Sequence, residues 1–391
     1  MKILFSLIFI VSGSLELIAQ DKQPGQVNQT ADTNSNNNQL FRNRYLQLSF
    51  EHGGVLPIDD NPIVNKVLKE SNFTGLSLRY GWELSPHSIY SRIYRQPIFG
   101  LGFFISTFHN PIIGTPMSVF GYAEIPLTRN QNRWNFTYGI ALGVSFHFNP
   151  YNNQTNPENL LIGSKFNAYV HLNLQARYVI DKYWQVGAGI GYKHFSNGSS
   201  KKPNAGINLA PIEISVQYKI NKLNTAKKRS EFPVFKPFFA VTASTSSGIY
   251  QDVPGGELIY KNLMSVFAGY QISYKYKVGL GFDLNYTSGG TNRIHTDASD
   301  FSKNFSYGIS VGWEWYLTDR LYMPLSLGFY LHHNIENAEI KGRYERIGLR
   351  YLFFNRHLSV GPGLKAHEGT ADIMEFNVGW VFHRDHNQYT R

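Results

Sequence analysis

The sequence predicts an all-β protein that folds as an antiparallel transmembrane β-barrel, and three observations lead to this prediction. Aromatic residues make up 15% of the 391 residues and there are 35 glycines, whereas only 16% of the residues are charged. This composition is typical of proteins built from many short strands. Long stretches alternate between apolar and polar side chains, which is the period of a β-strand. After the N-terminus, no run approaches the roughly 20 apolar residues that a membrane-spanning helix needs.

The N-terminus is similar to a secretory signal peptide. Lys2 provides the basic start, Ile3 to Val11 the apolar segment, and Ala19 ends a plausible cleavage site. A buried N-terminal helix is the alternative. Residues 20–44 are polar and rich in asparagine, which predicts a disordered leader. We therefore expect export and cleavage near Ala19, with the mature chain in a bacterial outer membrane.

The strand pattern predicts a first eight-stranded barrel over residues 45–220. In the segment 134–148 the even-numbered residues are apolar, and the segment 166–178 repeats this alternation. The opposite face of the second segment carries His171, Gln175 and Arg177, which would form a poor hydrophobic core. We therefore expect the apolar face to meet lipid and the polar face to line the barrel interior; a soluble sandwich would reverse this assignment. The predicted strands lie at roughly 45–51, 73–84, 98–109, 118–128, 133–148, 166–180, 183–196 and 209–220.

Residues 221–235 are basic, contain Pro233, and predict a periplasmic linker to a second eight-stranded barrel over residues 236–384. Short links at Asp181-Lys182 and Asn355-Arg356 fit periplasmic turns. A single 16-stranded barrel is the alternative, and pairing of the 209–220 strand with the first strand would exclude it. The second set of strands is predicted at roughly 236–250, 263–274, 276–287, 305–317, 321–333, 343–354, 357–367 and 373–383.

Composition also limits the function. The chain has no cysteine, which excludes disulfides, thiolate metal sites and a lipidated N-terminal cysteine. Its net charge of +10 comes from scattered basic residues, a distribution that favours an anionic membrane surface over a nucleic acid. We expect no metal site and no cofactor, and the sequence makes no prediction of oligomeric state.

One predicted hairpin brings three polar side chains to the lipid-facing surface. Extending the alternation of the strand at 183–196 puts His194 and Ser196 on its apolar face. Counting back along the strand at 209–220 puts Asn208 on the same face. Polar groups that face lipid are costly, so they are candidates for function. At the membrane interface the cost falls, and a plain hairpin with a solvated loop is the alternative.

These residue types suit nucleophilic acyl transfer. A serine hydroxyl needs an adjacent base, and His194 lies within reach of Ser196. Asn208 is a candidate to orient the imidazole, although it brings no charge to stabilise an imidazolium. The expected oxyanion donors are the loop amides of Asn197, Gly198 and Ser199 together with the Asn204 side chain.

The same stretch resembles the outer-membrane lipid A 3-O-deacylases, whose pattern is approximately H-x-S-N, a short basic loop, and P-N-x-G-x-E. The matching residues here are His194, Ser196, Asn197, Lys201, Lys202, Pro203, Asn204 and Gly206, with Asn208 where the family has Glu. The resemblance implies an eight-stranded barrel with a lipid-facing catalytic triad, in which His194 is the base, Ser196 the nucleophile and Asn204 an oxyanion donor. The chain also resembles two-barrel homologues of Bacteroidota type, often labelled acyloxyacyl hydrolases.

The resemblance implies an esterase that removes an ester-linked acyl chain from lipid A of lipopolysaccharide in the outer leaflet. Lys201 and Lys202 would then meet lipid A phosphates, a solvated basic loop being the alternative. A phospholipid acyl hydrolase and a non-catalytic structural, adhesion or pore-forming barrel are the other candidates. In the second barrel, Glu368 aligns with His194 and His367 has the parity of an interior residue. We therefore expect that barrel to be catalytically silent.

Overall fold

The computed structural model describes residues 41–57, 61–85, 88–128, 133–220, 233–289, 301–339 and 341–383. The predicted signal peptide, the leader up to residue 40 and residues 221–232 of the predicted linker lie outside the described residues.

Strands β1 to β8 form a closed antiparallel barrel in which each strand pairs with the next. β8 returns to pair with β1, from Tyr45 opposite Lys219 to Leu56 opposite Asn208. This pairing excludes the single 16-stranded barrel. The strands are β1 (Phe41–Leu56), β2 (Asn72–Leu84), β3 (Ile98–Thr107), β4 (Gly114–Pro126), β5 (Trp134–Phe148), β6 (Asn167–Val179), β7 (Trp184–Ser196) and β8 (Ile207–Lys219).

The remaining strands form a second closed barrel. β9 pairs with β17 and β12 with β13, which completes the circuit. β14 and β15 are two pieces of one interrupted strand between β13 and β16, so the barrel has eight strand positions, as predicted. The strands are β9 (Phe238–Gln251), β10 (Leu258–Gln271), β11 (Tyr276–Thr287), β12 (Phe305–Tyr316), β13 (Leu321–His332), β14 (Arg343–Gly348), β15 (Arg350–Phe353), β16 (Leu358–His367) and β17 (Thr370–His383).

The two faces of the strands are assigned as the sequence predicts. In β8, Ile212 and Ile214 are more than 60% exposed, whereas Glu213 and Ser215 between them are buried. Glu213 accepts hydrogen bonds inside the barrel from the side chains of Asn173 and Gln175. An outward apolar surface over a polar, hydrogen-bonded interior is the arrangement of a membrane barrel.

Two short turns, one of them the predicted link at Asp181-Lys182, owe their shape to a single side chain each. Asp181 Oδ1 accepts from the backbone N–H groups of Tyr183 and Trp184 between β6 and β7. Thr318 Oγ1 accepts from the backbone N–H groups of Arg320 and Leu321 between β12 and β13. These side chains replace backbone partners, so the hairpins close with few residues.

The end of the first barrel that carries Ser196 is filled by apolar side chains. Helix α1 (Pro62–Lys69) begins at Asn61, whose Oδ1 accepts from Ile63 N, and it buries Val64, Val67 and Leu68. Phe195 and Ile207, the inward neighbours of the predicted site, join this cluster fully buried. Because Phe195 and Ile207 point inward, their neighbours His194, Ser196 and Asn208 point outward.

The two barrels contact each other side by side. The link between β2 and β3 contains helix α2 (Ile89–Ile93), followed by Tyr94. The Tyr94 hydroxyl donates to Tyr316 O at 2.6 Å and accepts from Trp315 Nε1 at 2.7 Å. Tyr138 of β5 stacks on Trp315. None of the helices among the described residues combines the length and apolar character required of a membrane span.

Candidate active site

Ser196, His194 and Asn208 are joined by hydrogen bonds on the outward-facing side of β7 and β8, where all three side chains are buried. His194 Nε2 lies 2.9 Å from Ser196 Oγ, and His194 Nδ1 lies 2.6 Å from Asn208 Oδ1. His194 and Asn208 are directly opposite each other in the β7–β8 pair. Strand parity and pairing register therefore bring together the three residues singled out in the sequence.

The Asn208 oxygen has a second donor that strand parity alone does not reveal. The Tyr192 hydroxyl donates to Asn208 Oδ1 at 2.7 Å. With Oδ1 as a shared acceptor, His194 carries its proton on Nδ1, which leaves Nε2 unprotonated and able to accept from Ser196. This tautomer is the one that a general base requires. Tyr192 lies two residues before His194 on the same face, where the pattern alone marks it as a lipid-facing aromatic.

The catalytic loop, residues 197–206, connects β7 to β8. Asn204 Oδ1 accepts from the backbone N–H of Asn197 at 3.1 Å. The sequence predicts the Asn197 N–H as an oxyanion donor, but this hydrogen bond already occupies it. Gly198 and Ser199 both have left-handed backbone conformations, with φ of 60° and 66°. Throughout the described part of the chain, no protein acceptor takes the backbone N–H of Gly198 or Ser199. Their N–H groups and the Asn204 amide nitrogen remain as donor candidates.

The asparagine-rich segment before β6 supports the other end of the catalytic loop. The buried Asn159 donates to Ile112 O and Asn149 O, and its own Oδ1 accepts from Leu161 N and Ile162 N. The segment it shapes then accepts the Ala205 N–H at Leu160 O and the Gly206 N–H at Leu161 O. This asparagine-rich segment therefore supports the catalytic loop.

The two lysines of the catalytic loop differ in environment. Lys201 has an exposed side chain, whereas Lys202 is half-buried, with its Nζ 3.4 Å from Ser199 Oγ. Burial lowers the pKa of Lys202, and the nearby carboxylates of Asp252 and Asp372 act in the opposite direction. Both ammonium groups lie on the loop beside Ser196, which suits an anionic headgroup.

An apolar cavity of about 160 Å³ continues along the face that carries the site. Tyr192 lines it and also bonds Asn208, so the cavity adjoins the hydrogen-bonded group. Ile140, Leu172 and Ile190 form its wall on the first barrel, and Trp315 contributes from the second. The arrangement puts a serine hydroxyl beside a base and an apolar groove, which suits an ester with a long acyl chain.

The second barrel has a histidine in a different setting. His367 is buried inside that barrel, where its Nε2 lies 3.0 Å from the Tyr330 hydroxyl and its Nδ1 4.0 Å from Asp372. Lys365 also contacts Asp372, and Arg346 bonds Glu375 further along the interior. Among the described residues, no group of three or more His, Asp or Glu side chains has the arrangement of a metal site.

Comparison with protein families identifies the chain. Residues 74–218 match the model of the lipid A 3-O-deacylase family (PagL), and residues 242–384 match the C-terminal domain of the acyloxyacyl hydrolases (PagL_C). The chain belongs to the lipid A 3-O-deacylase family. It is accordingly a carboxylic ester hydrolase of the bacterial outer membrane that deacylates lipid A. The two matches fall on the two barrels, one on each.

No curated protein matches the chain in sequence. Among solved structures, the neisserial surface protein A is similar at 11% identity with a TM-score of 0.30, over 45% of this chain and 97% of that one. OccAB4 of Acinetobacter baumannii is similar at 12% identity with a TM-score of 0.24, over 89% of this chain and 100% of that one. The siderophore receptor PirA of Pseudomonas aeruginosa follows at 10% identity with a TM-score of 0.19, over 88% and 81%.

Proposed function

We propose that this lipid A deacylase works by a Ser-His-Asn mechanism in which Ser196 is the nucleophile, His194 the general base and Asn208 the group that orients the imidazole. The observation that carries the proposal is the continuous hydrogen-bonded chain from Ser196 Oγ through both ring nitrogens of His194 to Asn208 Oδ1. Such a chain is what a serine needs to become a nucleophile near neutral pH.

In the first step, Ser196 Oγ attacks the ester carbonyl carbon while His194 Nε2 takes the hydroxyl proton. The negative charge that forms on the carbonyl oxygen is met by the N–H groups of Gly198 and Ser199 and by the Asn204 amide. Collapse breaks the bond to the sugar oxygen, which leaves as a hydroxyl after receiving the proton from His194. Water, deprotonated by His194, then attacks the acyl-serine and releases the fatty acid.

The substrate bound by this site is lipid A in the outer leaflet. The exposed apolar surface of β7 and β8 faces lipid, and the cavity beside Tyr192 can hold the acyl chain whose ester bond is cleaved. Lys201 and Lys202 are the groups that meet the phosphates at the membrane surface. A lipid enters this site sideways from the bilayer and keeps its other chains in the membrane.

The proposal extends to the organisation of the chain. Residues 1–19 are the signal peptide cleaved near Ala19, and residues 20–40 are a leader, shorter than predicted because β1 begins at Phe41. Residues 221–235 are a periplasmic linker between the catalytic barrel and a catalytically silent one (236–384). The interior position of His367 and the absence of an H-x-S-N sequence after Lys365 support a silent second barrel. Determining the N-terminus of the purified protein tests the cleavage site.

Mass spectrometry of lipid A from cells with and without the protein tests the catalytic proposal. We expect the wild type to remove one ester-linked acyl chain, and Ser196→Ala and His194→Ala to leave acylation unchanged. Ser288→Ala, an exposed serine of the second barrel, is the matched control and should keep full activity. Deacylation by Ser196→Ala would refute the assignment of Ser196 as the nucleophile. Release of fatty acid from phospholipids but not from lipid A would show that the substrate is a phospholipid.

A further inference from the structure

Contacts between the barrels converge on the catalytic loop. Gln251, the last residue of β9, donates its backbone N–H to Ser199 O at 2.9 Å. Its side-chain Oε1 accepts from the Lys202 backbone N–H at 2.8 Å. One residue of the second barrel therefore holds the catalytic loop at two points, three residues apart.

The Gln251 side chain is itself fixed. It is buried, and its Nε2 donates to Gly256 O at 2.7 Å within the turn that follows β9. Since both ends of the amide are bonded, Oε1 has one orientation, towards Lys202. A side chain with a free rotamer would hold the loop less firmly, because each contact would then cost side-chain entropy.

Ser199 has a second contact with the same barrel. Its Oγ donates to Ala371 O of β17 at 2.8 Å. The carbonyl of Ser199 is bonded to Gln251 and its side chain to Ala371, so the second barrel holds both its carbonyl and its hydroxyl. Its φ of 66° is uncommon for a residue other than glycine and persists only where the surroundings enforce it.

Gly198 lies equally close to the second barrel. A Cβ built on Gly198 would come within 2.2 Å of the Met374 side chain of β17, so only glycine fits against this surface. Gly198 and Ser199 are the central residues of a turn closed by Ser200 N donating to Asn197 O, and both also contact β9 or β17 of the second barrel. The two backbone N–H groups proposed as oxyanion donors thus belong to a turn that is packed against the second barrel. Asn197 and the segment at Leu160 and Leu161 hold the loop from the first barrel, and the second barrel adds contacts at Gly198, Ser199 and Lys202.

We infer that the second barrel, although it carries no catalytic residue, completes the active site by holding the oxyanion loop, and that Gln251 is the positioning residue. This inference rests on the proposed function, because it assigns a role to donors that act in that reaction. It accounts for a second barrel fused to a barrel that already carries the nucleophile and the base. Oxyanion donors act only when they are preorganised at the position of the developing charge.

Gln251→Leu keeps the backbone bond to Ser199 but removes the acceptor for Lys202 N and the donor to Gly256 O. We expect kcat to fall roughly tenfold, the equivalent of one lost hydrogen bond, with KM for lipid A within twofold of the wild type. Gln251→Glu keeps an oxygen for Lys202 N and should recover part of the loss. Combining Gln251→Leu with Ser199→Ala, which removes the bond to Ala371 O, should lower kcat by more than either change alone.

Gln271→Leu is the matched control, since Gln271 is a buried glutamine of the same barrel that donates to Ser273 O far from the site. It should leave kcat unchanged. The rate at which a fluorophosphonate labels Ser196 gives a second readout, because the phosphoryl oxygen occupies the oxyanion site when Oγ displaces fluoride. Labelling of Gln251→Leu should slow in parallel with kcat.

The outcomes separate the two claims. If the wild type deacylates lipid A and Gln251→Leu matches it in kcat and labelling rate, the positioning role is wrong while the proposed function stands. If Ser196→Ala is as active as the wild type, the proposed mechanism is wrong, and the positioning role that rests on it is wrong as well. A loss shared equally by Gln251→Leu and Gln271→Leu would show general damage to the second barrel and would also overturn the positioning role.

Discussion

The Tyr192 hydroxyl donates a 2.7 Å hydrogen bond to Asn208 Oδ1, the same oxygen that accepts the hydrogen bond from His194 Nδ1. A carboxylate in this place would bring a full negative charge to stabilise an imidazolium, and an amide cannot. A second donor fixes the orientation of the amide and polarises its oxygen. The asparagine is therefore held as an acceptor, which is the part of the carboxylate role that an amide can perform.

Replacing Tyr192 with Phe removes only this hydroxyl and keeps the ring that lines the apolar cavity. We expect kcat to fall roughly threefold to tenfold, in line with the loss of one hydrogen bond, with little change in KM. Tyr218→Phe, in β8 at the opposite end of the barrel, is the control and should have no effect. In an Asn208→Ala background the Tyr192→Phe change should add nothing, because the acceptor is gone; an additive loss would show that Tyr192 acts by another route.

Asn208→Glu restores the residue type of the family motif. We expect activity equal to or above that of the wild type, because a carboxylate both accepts from His194 Nδ1 and stabilises the imidazolium. Asn208→Leu keeps similar volume without an acceptor and should lower kcat by two orders of magnitude or more, as loss of imidazole orientation does in serine hydrolases. Steady-state rates on purified lipid A measure both, and complete inactivity of Asn208→Glu would give Asn208 a different role.

Substitutions of the two loop lysines should have different kinetic effects, because Lys201 is expected to bind substrate only and Lys202 also to position the loop. Lys201→Gln removes an exposed ammonium group, so we expect KM for phosphorylated lipid A to rise roughly threefold to tenfold with kcat unchanged. Lys202→Gln should lower kcat as well, because Lys202 Nζ contacts Ser199 Oγ. Dephosphorylated lipid A should abolish the KM effect, and Lys182→Gln, on a turn at the far end, should match the wild type. Equal kinetics on both substrates would assign the lysines to a solvated loop.

Trp315 should influence which acyl chains the enzyme accepts. Trp315→Ala enlarges the cavity, and we expect the ratio of kcat/KM for longer over shorter acyl esters to rise roughly tenfold, the scale set by one or two methylenes in an apolar pocket. Trp315→Phe, which replaces the indole with a smaller aromatic ring, should shift the ratio less. Trp380→Ala changes an exposed tryptophan of the same barrel away from the cavity and should leave the ratio constant. An unchanged ratio in Trp315→Ala would place the acyl chain elsewhere.

The sequence predicted the strands, the facing of their side chains and the three polar residues of the site, because all of these follow from a period of two and from strand pairing. β1 is longer than predicted, running from Phe41 to Leu56, since its ends carry no clear alternation. Asn204 remains a predicted oxyanion donor through its amide nitrogen, while its oxygen bonds Asn197 N, a local contact that strand alternation does not reveal.

The contacts between the barrels could not be predicted in this way. Alternation assigns a residue to the lipid side but says nothing of which part of that side meets another barrel. Trp315 and Met374 therefore have the pattern of ordinary lipid-facing residues, and Tyr94 lies in a link outside the predicted strands. Gln251 and Lys202 are 49 residues apart in different barrels, and their contact depends on how the barrels are rotated against each other.

The apolar packing of Phe195, Ile207 and helix α1 at the Ser196 end of the first barrel has a consequence for the cell. Many barrels of the outer membrane enclose a water-filled passage, whereas this one is closed at its outer mouth by its own side chains. This barrel therefore gives solutes no passage through its own interior, so the lipids around it can be remodelled without a leak through the barrel that carries Ser196.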